Sequence, residues 1–253
     1  MSSLTHILNE SAAKPQGAAG GAGGEAGGGG GDGSEPDLWI GVPPGFLALP
    51  LEDPASRIAE AGQVLAQFVP QESRALFEAT LGSLELLLAE LAARRTVYCG
   101  IGFHTAQDGE QIGSSLVASL HAFPEKRNPR LVIRDMVTAQ DESGEPGHVE
   151  LIDLDNGPAM FVEAVRELPT PQLPGGPVVP DGATSKVYQL RALVPSADGT
   201  KLAALEFSTP RVEHGIQFRT MMALMAATVA FEPPAGSGEE GTVSKRISDI
   251  LGG

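Results

Sequence analysis

The clearest pattern in the chain is an alternation of apolar and polar positions over residues 186–208. Val187, Gln189, Arg191 and Leu193 fall on one side of a pleat, and Tyr188, Leu190, Ala192 and Val194 on the other. A period of two is what an extended strand imposes. Asp198-Gly199 follows, a pair that accepts the positive φ angles of a tight hairpin turn. The return strand sets Leu202, Ala204, Glu206 and Ser208 opposite Ala203, Leu205 and Phe207. Past Thr209-Pro210 the period lengthens. Phe218, Met221, Met222, Met225 and Val229 share one helical stripe, widened by Ile216, Leu224 and Phe231. The methionines read as adaptable core filling rather than as a ligand groove.

Two earlier hairpins repeat the strand pattern. Residues 96–105 and 111–123 flank Asp108-Gly109, and residues 148–154 and 159–168 flank Asn156-Gly157. Trp39 to Leu51 predicts an opening strand whose prolines place it at an edge or at a strand start. Asp53-Pro54 predicts a capped helix start, with Ile58, Leu65 and Phe68 on the apolar side. Pro70 should break or kink that helix. A second helix spans 72–95 with Leu76, Phe77, Leu81, Leu84, Leu88 and Leu91 as a core stripe; Arg94 and Arg95 suit its negative end. Asn128-Pro129 opens a short helix burying Leu131, Val132, Met136 and Val137. Residues 169–183, with five prolines, predict a connecting loop.

Three hairpins, an opening strand and covering helices imply an α+β domain with a largely antiparallel sheet over residues 38–232. Turns this short exclude parallel crossovers between consecutive strands. Gly41-Val-Pro-Pro-Gly-Phe-Leu-Ala-Leu-Pro-Leu opens the domain. Leu205-Glu-Phe-Ser-Thr-Pro and the apolar segment from Phe218 to Phe231 close it. In these residues and in element order the chain resembles the PsbP-like superfamily. That group includes photosystem II extrinsic subunits, a Ran-binding nuclear import factor and small actinobacterial proteins. The resemblance implies a binding or assembly role without a shared catalytic set, and carries over no functional residue. The two helices before Thr96 and both tails depart from the small members.

Composition changes the picture mainly at the ends. The chain has 253 residues, 42% of them hydrophobic, with 32 Gly and 20 Pro. Residues 1–37 are rich in Gly and Ala and predict a disordered N-terminal tether. Residues 233–253 predict a flexible tail. Each tail carries a short amphipathic peptide: Leu4, Ile7 and Leu8 in the first, Ile247, Ile250 and Leu251 in the second. These six are the candidate partner-binding residues. Of the net charge of −15, the first tail holds −4 (five acids, one base) and the segment after Phe231 holds −2 (four acids, two bases), leaving −9 between them. Acidity this general argues against nucleic acid or an anionic membrane as partner. No export signal or membrane span is predicted, which gives a cytoplasmic reading. Arg outnumbers Lys twelve to five, which with abundant Ala and Gly suggests a GC-rich bacterial genome.

Candidate chemistry is sparse. The single cysteine, Cys99, excludes an intrachain disulfide framework and reads as a buried, inert thiol. The five histidines lack metal-site spacing, although His104 and His121 lie on paired strands. Gly100-Ile-Gly102 lacks the third glycine of a dinucleotide fingerprint. Asp153-Leu-Asp155-Asn-Gly157 begins like a calcium loop, but Ala164 stands where the closing glutamate would be. Trp39-Ile40-Gly41 matches the Trp-x-Gly signature of small type VII secretion substrates, where it joins two helices; here it leads into a strand.

No cofactor and no enzyme activity are therefore expected. The reading is a non-catalytic protein-binding or assembly module with terminal peptides. Alternatives are a cargo protein recruited to a shell through its terminal peptide, a type VII secretion-associated protein, and a small-molecule carrier using the sheet.

Overall fold

The computed structural model describes residues 38–106, 108–170, 172 and 178–233. Among these residues seven strands form one open antiparallel sheet: β1 (Phe46–Ala48), β2 (Thr96–Thr105), β3 (Gln111–Ala122), β4 (His148–Leu154), β5 (Gly157–Pro169), β6 (Thr184–Pro195) and β7 (Lys201–Thr209). Their order is β1-β2-β3-β7-β6-β5-β4. The hairpins β2–β3, β4–β5 and β6–β7 are those that the turn dipeptides predict. Tertiary structure adds their arrangement: β3 pairs with β7 (Ser115 opposite Ser208) and β5 with β6 (Val162 opposite Arg191).

Among the described residues four α-helices lie on the two faces: α1 (Pro54–Leu65), α2 (Arg74–Ala93), α3 (Pro129–Ser143) and α4 (Arg219–Thr228). The first sheet face holds the main core. Leu116, Leu190, Leu205 and Phe207 pack there against Met222, Met225 and Ala226 of α4. Full burial of each such side chain contributes about 1.5–3 kcal/mol. The second face is covered twice. Val132, Ile133 and Met136 of α3 cover Met160, Leu193 and Leu202. Ile58 of α1 and Leu88 of α2 cover Cys99.

Several local expectations are corrected. Only Phe46–Ala48 pairs with β2 in the opening segment, and Trp39 makes an isolated bridge to Ala230. Pro43, Pro44 and the positive φ of Gly45 (99°) interrupt the strand between them. Asp53 precedes α1 but takes a left-handed conformation (φ 45°) and its side chain caps nothing. Asn128, by contrast, caps α3 by accepting from the Arg130 amide at 2.9 Å. Leu131 is exposed and Ile133 takes its place in the core. Residues Val212–Phe218 wind as a 3-10 helix before α4, which turns Ile216 outward. Leu65 and Phe68 are exposed as well, because α1 packs on α2 rather than broadly on the sheet. Of the α2 stripe only Leu88 is buried; its neighbours are half-buried. The apolar pattern predicts the α2 helix correctly but not how much of it is covered.

Candidate functional site

The six terminal candidates, Leu4, Ile7, Leu8, Ile247, Ile250 and Leu251, lie outside the described residues, as do both tails as far as residues 37 and 234. The points where those tails join the fold are adjacent. The Trp39 amide donates to the Ala230 carbonyl at 2.8 Å, and the Ala230 amide returns the bond at 3.0 Å.

The cysteine and histidines do not converge. Cys99 is 5% exposed opposite Val117, and burial pushes its thiol up to about 11. His104 sits between the rings of Phe46 and Phe218 and lies 3.0 Å from the Ser114 hydroxyl. Burial lowers its pKa. His121 is opposite Leu202, far along β3 from Ile112, the residue paired with His104. Burial first, then the charge of Arg95, lowers its pKa. The two histidines expected on paired strands are therefore kept apart by register.

The glycine and calcium-like motifs have packing explanations. A side chain on Gly100 would strike the Tyr98 ring, and one on Gly102 would strike His104 and Ser114. Asn156 of the β4–β5 turn donates to the carbonyls of Ala226 and Val229, both at 2.9 Å. It thereby holds the end of α4, a long-range role with no local signal.

One grouping of metal-type ligands forms among the described residues. Asp108, Glu110 and His214 bring one ligand atom each within 4.8 Å of one another. The His214 Nε2 is 3.2 Å from a Glu110 oxygen, while Arg211 holds the other Glu110 oxygen at 2.7 Å. That guanidinium already supplies the positive charge a metal would bring. The grouping reads as an ion-paired latch between the β2–β3 turn and the 3-10 helix.

Three surfaces stand out among the described residues. The first is the arm made by α1 and α2. It buries Ile58, Gly62 and Leu88. It leaves Phe68 79% exposed and Leu86 74% exposed, with Val64, Leu65 and Leu87 also in solvent. The second is a cleft of about 200 Å³ beside β4, floored by Ile152, Phe161 and Leu190 and bordered by the Arg219–Glu163 ion pair.

The third is a hollow of about 120 Å³ on the second sheet face, between the areas covered by the arm and by α3. Its apolar sides include Val117 and Val162, which also belong to those two covered areas. Its polar groups come from four neighbouring strands. The Ser115 and Ser208 hydroxyls are 2.7 Å apart, and Gln189 is opposite Ser208. Arg191 Nε lies 3.1 Å from the Glu206 carboxylate. Arg166 Nη2 lies 2.6 Å from Glu145, and that guanidinium holds the Glu145 carboxyl below its usual pKa. The Arg166 Nε is fully buried with no acceptor among the described residues. Leaving a buried donor unpaired costs about 1–3 kcal/mol, so such groups call for an explanation.

Gln189 and Arg191 stand out in sequence as polar positions sharing a strand side with Leu193. Nothing local brings Ser115 or Arg166 beside them. No protein-family model matches the chain, and no curated protein matches it.

Proposed function

We propose that the protein is a non-catalytic protein-binding or assembly module. The observation that carries this reading is the arm, which leaves Val64, Leu65, Leu86 and Leu87 of its two helices and Phe68 of the turn between them exposed. Five large apolar side chains left in solvent between residues 64 and 87 make the arm the candidate interaction site, since uncovered apolar surface favours docking. The PsbP-like resemblance in element order points to the same class of role. Among the described residues no helix is long and apolar enough to cross a membrane.

The test replaces Phe68 and Leu86 by serine and compares affinity-purified wild type and variant by quantitative mass spectrometry. Both side chains are exposed, so thermal unfolding should be unchanged. A protein enriched on the wild type should be lost from the variant. Equal recovery of every enriched protein would refute the arm as the docking element.

The Trp39–Ala230 bridge favours a second reading, recruitment as cargo through the terminal peptides. It brings the roots of both tails to one place, so peptides containing Leu4, Ile7 and Leu8 and Ile247, Ile250 and Leu251 would engage one partner with a shared effective concentration. Removal of residues 243–253 should then abolish co-purification while the Phe68 and Leu86 substitutions leave it intact. The opposite pattern selects the arm.

A further inference from the structure

The hollow on the second sheet face has a composition that neither the core nor the arm explains. Ser115, Ser208, Gln189, Arg191 and Arg166 stand on four adjacent strands, all on one face. The middle of a sheet face between two helix-covered areas is where apolar side chains are expected, yet here donors predominate. Arg191 and Gln189 line the hollow, and the Gln189 amide makes no side-chain hydrogen bond among the described residues.

Glu206 shows what kind of acceptor these donors meet. Its carboxylate meets Arg191 from the solvent side: the Glu206 side chain is 55% exposed, against 20% for Arg191. An ion pair exposed on its carboxylate side contributes little, so a competing carboxylate can replace Glu206, while Arg191 stays mostly covered.

We propose that this hollow binds a small monocarboxylate. Its oxygens accept from N–H groups of Arg191 and from the Gln189 amide, the Ser115–Ser208 hydroxyl pair lies beside them, and Arg166 adds positive charge at the wall. Charge selects the monoanion. Arg166 and Arg191 are balanced by Glu145 and Glu206, so one incoming negative charge that displaces Glu206 restores the balance, and a phosphate dianion does not. Size favours a ligand of few heavy atoms, because about 120 Å³ holds only a small part of a nucleotide or a sugar phosphate. The site stands independently of whether the arm docks a protein.

The experiment titrates the full chain with acetate, propanoate and inorganic phosphate at constant ionic strength, by calorimetry and by amide chemical shifts. Saturable binding of acetate or propanoate is expected, with shifts at residues 115, 166, 189 and 208. Gln189→Ala, which breaks no hydrogen bond, should weaken it roughly tenfold, the scale of one hydrogen bond to a charged group. Glu206→Gln should strengthen it, since the competing carboxylate is gone; a merely structural ion pair would not give that sign. Absence of saturable binding in both wild type and Glu206→Gln would overturn the proposal. So would equal affinity in Gln189→Ala, or preference for phosphate.

Discussion

The backbone of Gly199 lies against the backbone of Arg127, so closely that a methyl group on residue 199 would stand 2.8 Å from the Arg127 carbonyl carbon. The contact is tied on both sides. The Arg127 amide donates to the Asp198 carbonyl at 2.9 Å, and the Gly199 amide donates to Ser196 at 2.9 Å. The β6–β7 turn thus seats the segment that leads into α3. Gly199 also has a positive φ of 67°, which a side chain would penalise by about 1–2 kcal/mol. Gly199→Ala should therefore lower stability by about 2 kcal/mol or more, read as a shift of the urea midpoint. Gly109 offers the control: its φ is 86° but nothing lies within 4 Å of an added methyl. Gly109→Ala should cost only about 1 kcal/mol. Equal losses at both positions would contradict the contact with Arg127.

Asp198 makes the same turn sensitive to acid. Its carboxylate accepts from the Thr200 hydroxyl at 2.7 Å, the Thr200 amide at 3.1 Å and the Ser196 hydroxyl at 2.9 Å. These bonds, with Thr200 foremost, bring its pKa to about 2 from an ordinary 3.8. A carboxyl depressed by folding contributes stability that is fully present above its unfolded value and drains as pH falls through the folded one. The loss should fall between about pH 4 and pH 2. Asp198→Asn should flatten stability against pH in that window, measured by denaturant melts. A slope identical to wild type would show that the turn does not titrate.

Cys99 should be silent in the native protein. With its pKa raised to about 11, roughly one thiol in a thousand is ionised at pH 8, and the side chain is 5% exposed. A thiol reagent at that pH should label it only as fast as the protein unfolds, and completely in denaturant. Rapid labelling of the folded chain would mean that the arm lifts away from Val117 and Cys99.

Legibility differed from element to element for physical reasons. The hairpins could be read because strand period and turn dipeptides are local, and Asp108-Gly109, Asn156-Gly157 and Asp198-Gly199 each lie where the chain reverses. The α3 start was equally local, since Asn128 caps the backbone two residues away. Asp53 had the same signature without the same outcome, because its backbone turns left-handed before Pro54. The leucines of α2 announced a helix, but a stripe of leucines does not state its coverage. Leu88 reached the sheet and Leu86 did not.

By itself the sequence determined the antiparallel hairpins, the helix positions and the α+β class, since each follows from periodicity and turn chemistry within a dozen or so residues. Tertiary structure alone decided that β3 joins β7, a pairing between residues 93 positions apart at Ser115 and Ser208. That junction assembles the hollow, brings Ser115 into line with Gln189 and leaves the arm standing off one side of the sheet. Strand order depends on how whole hairpins bury their faces against one another, and no local pattern of residues encodes that choice.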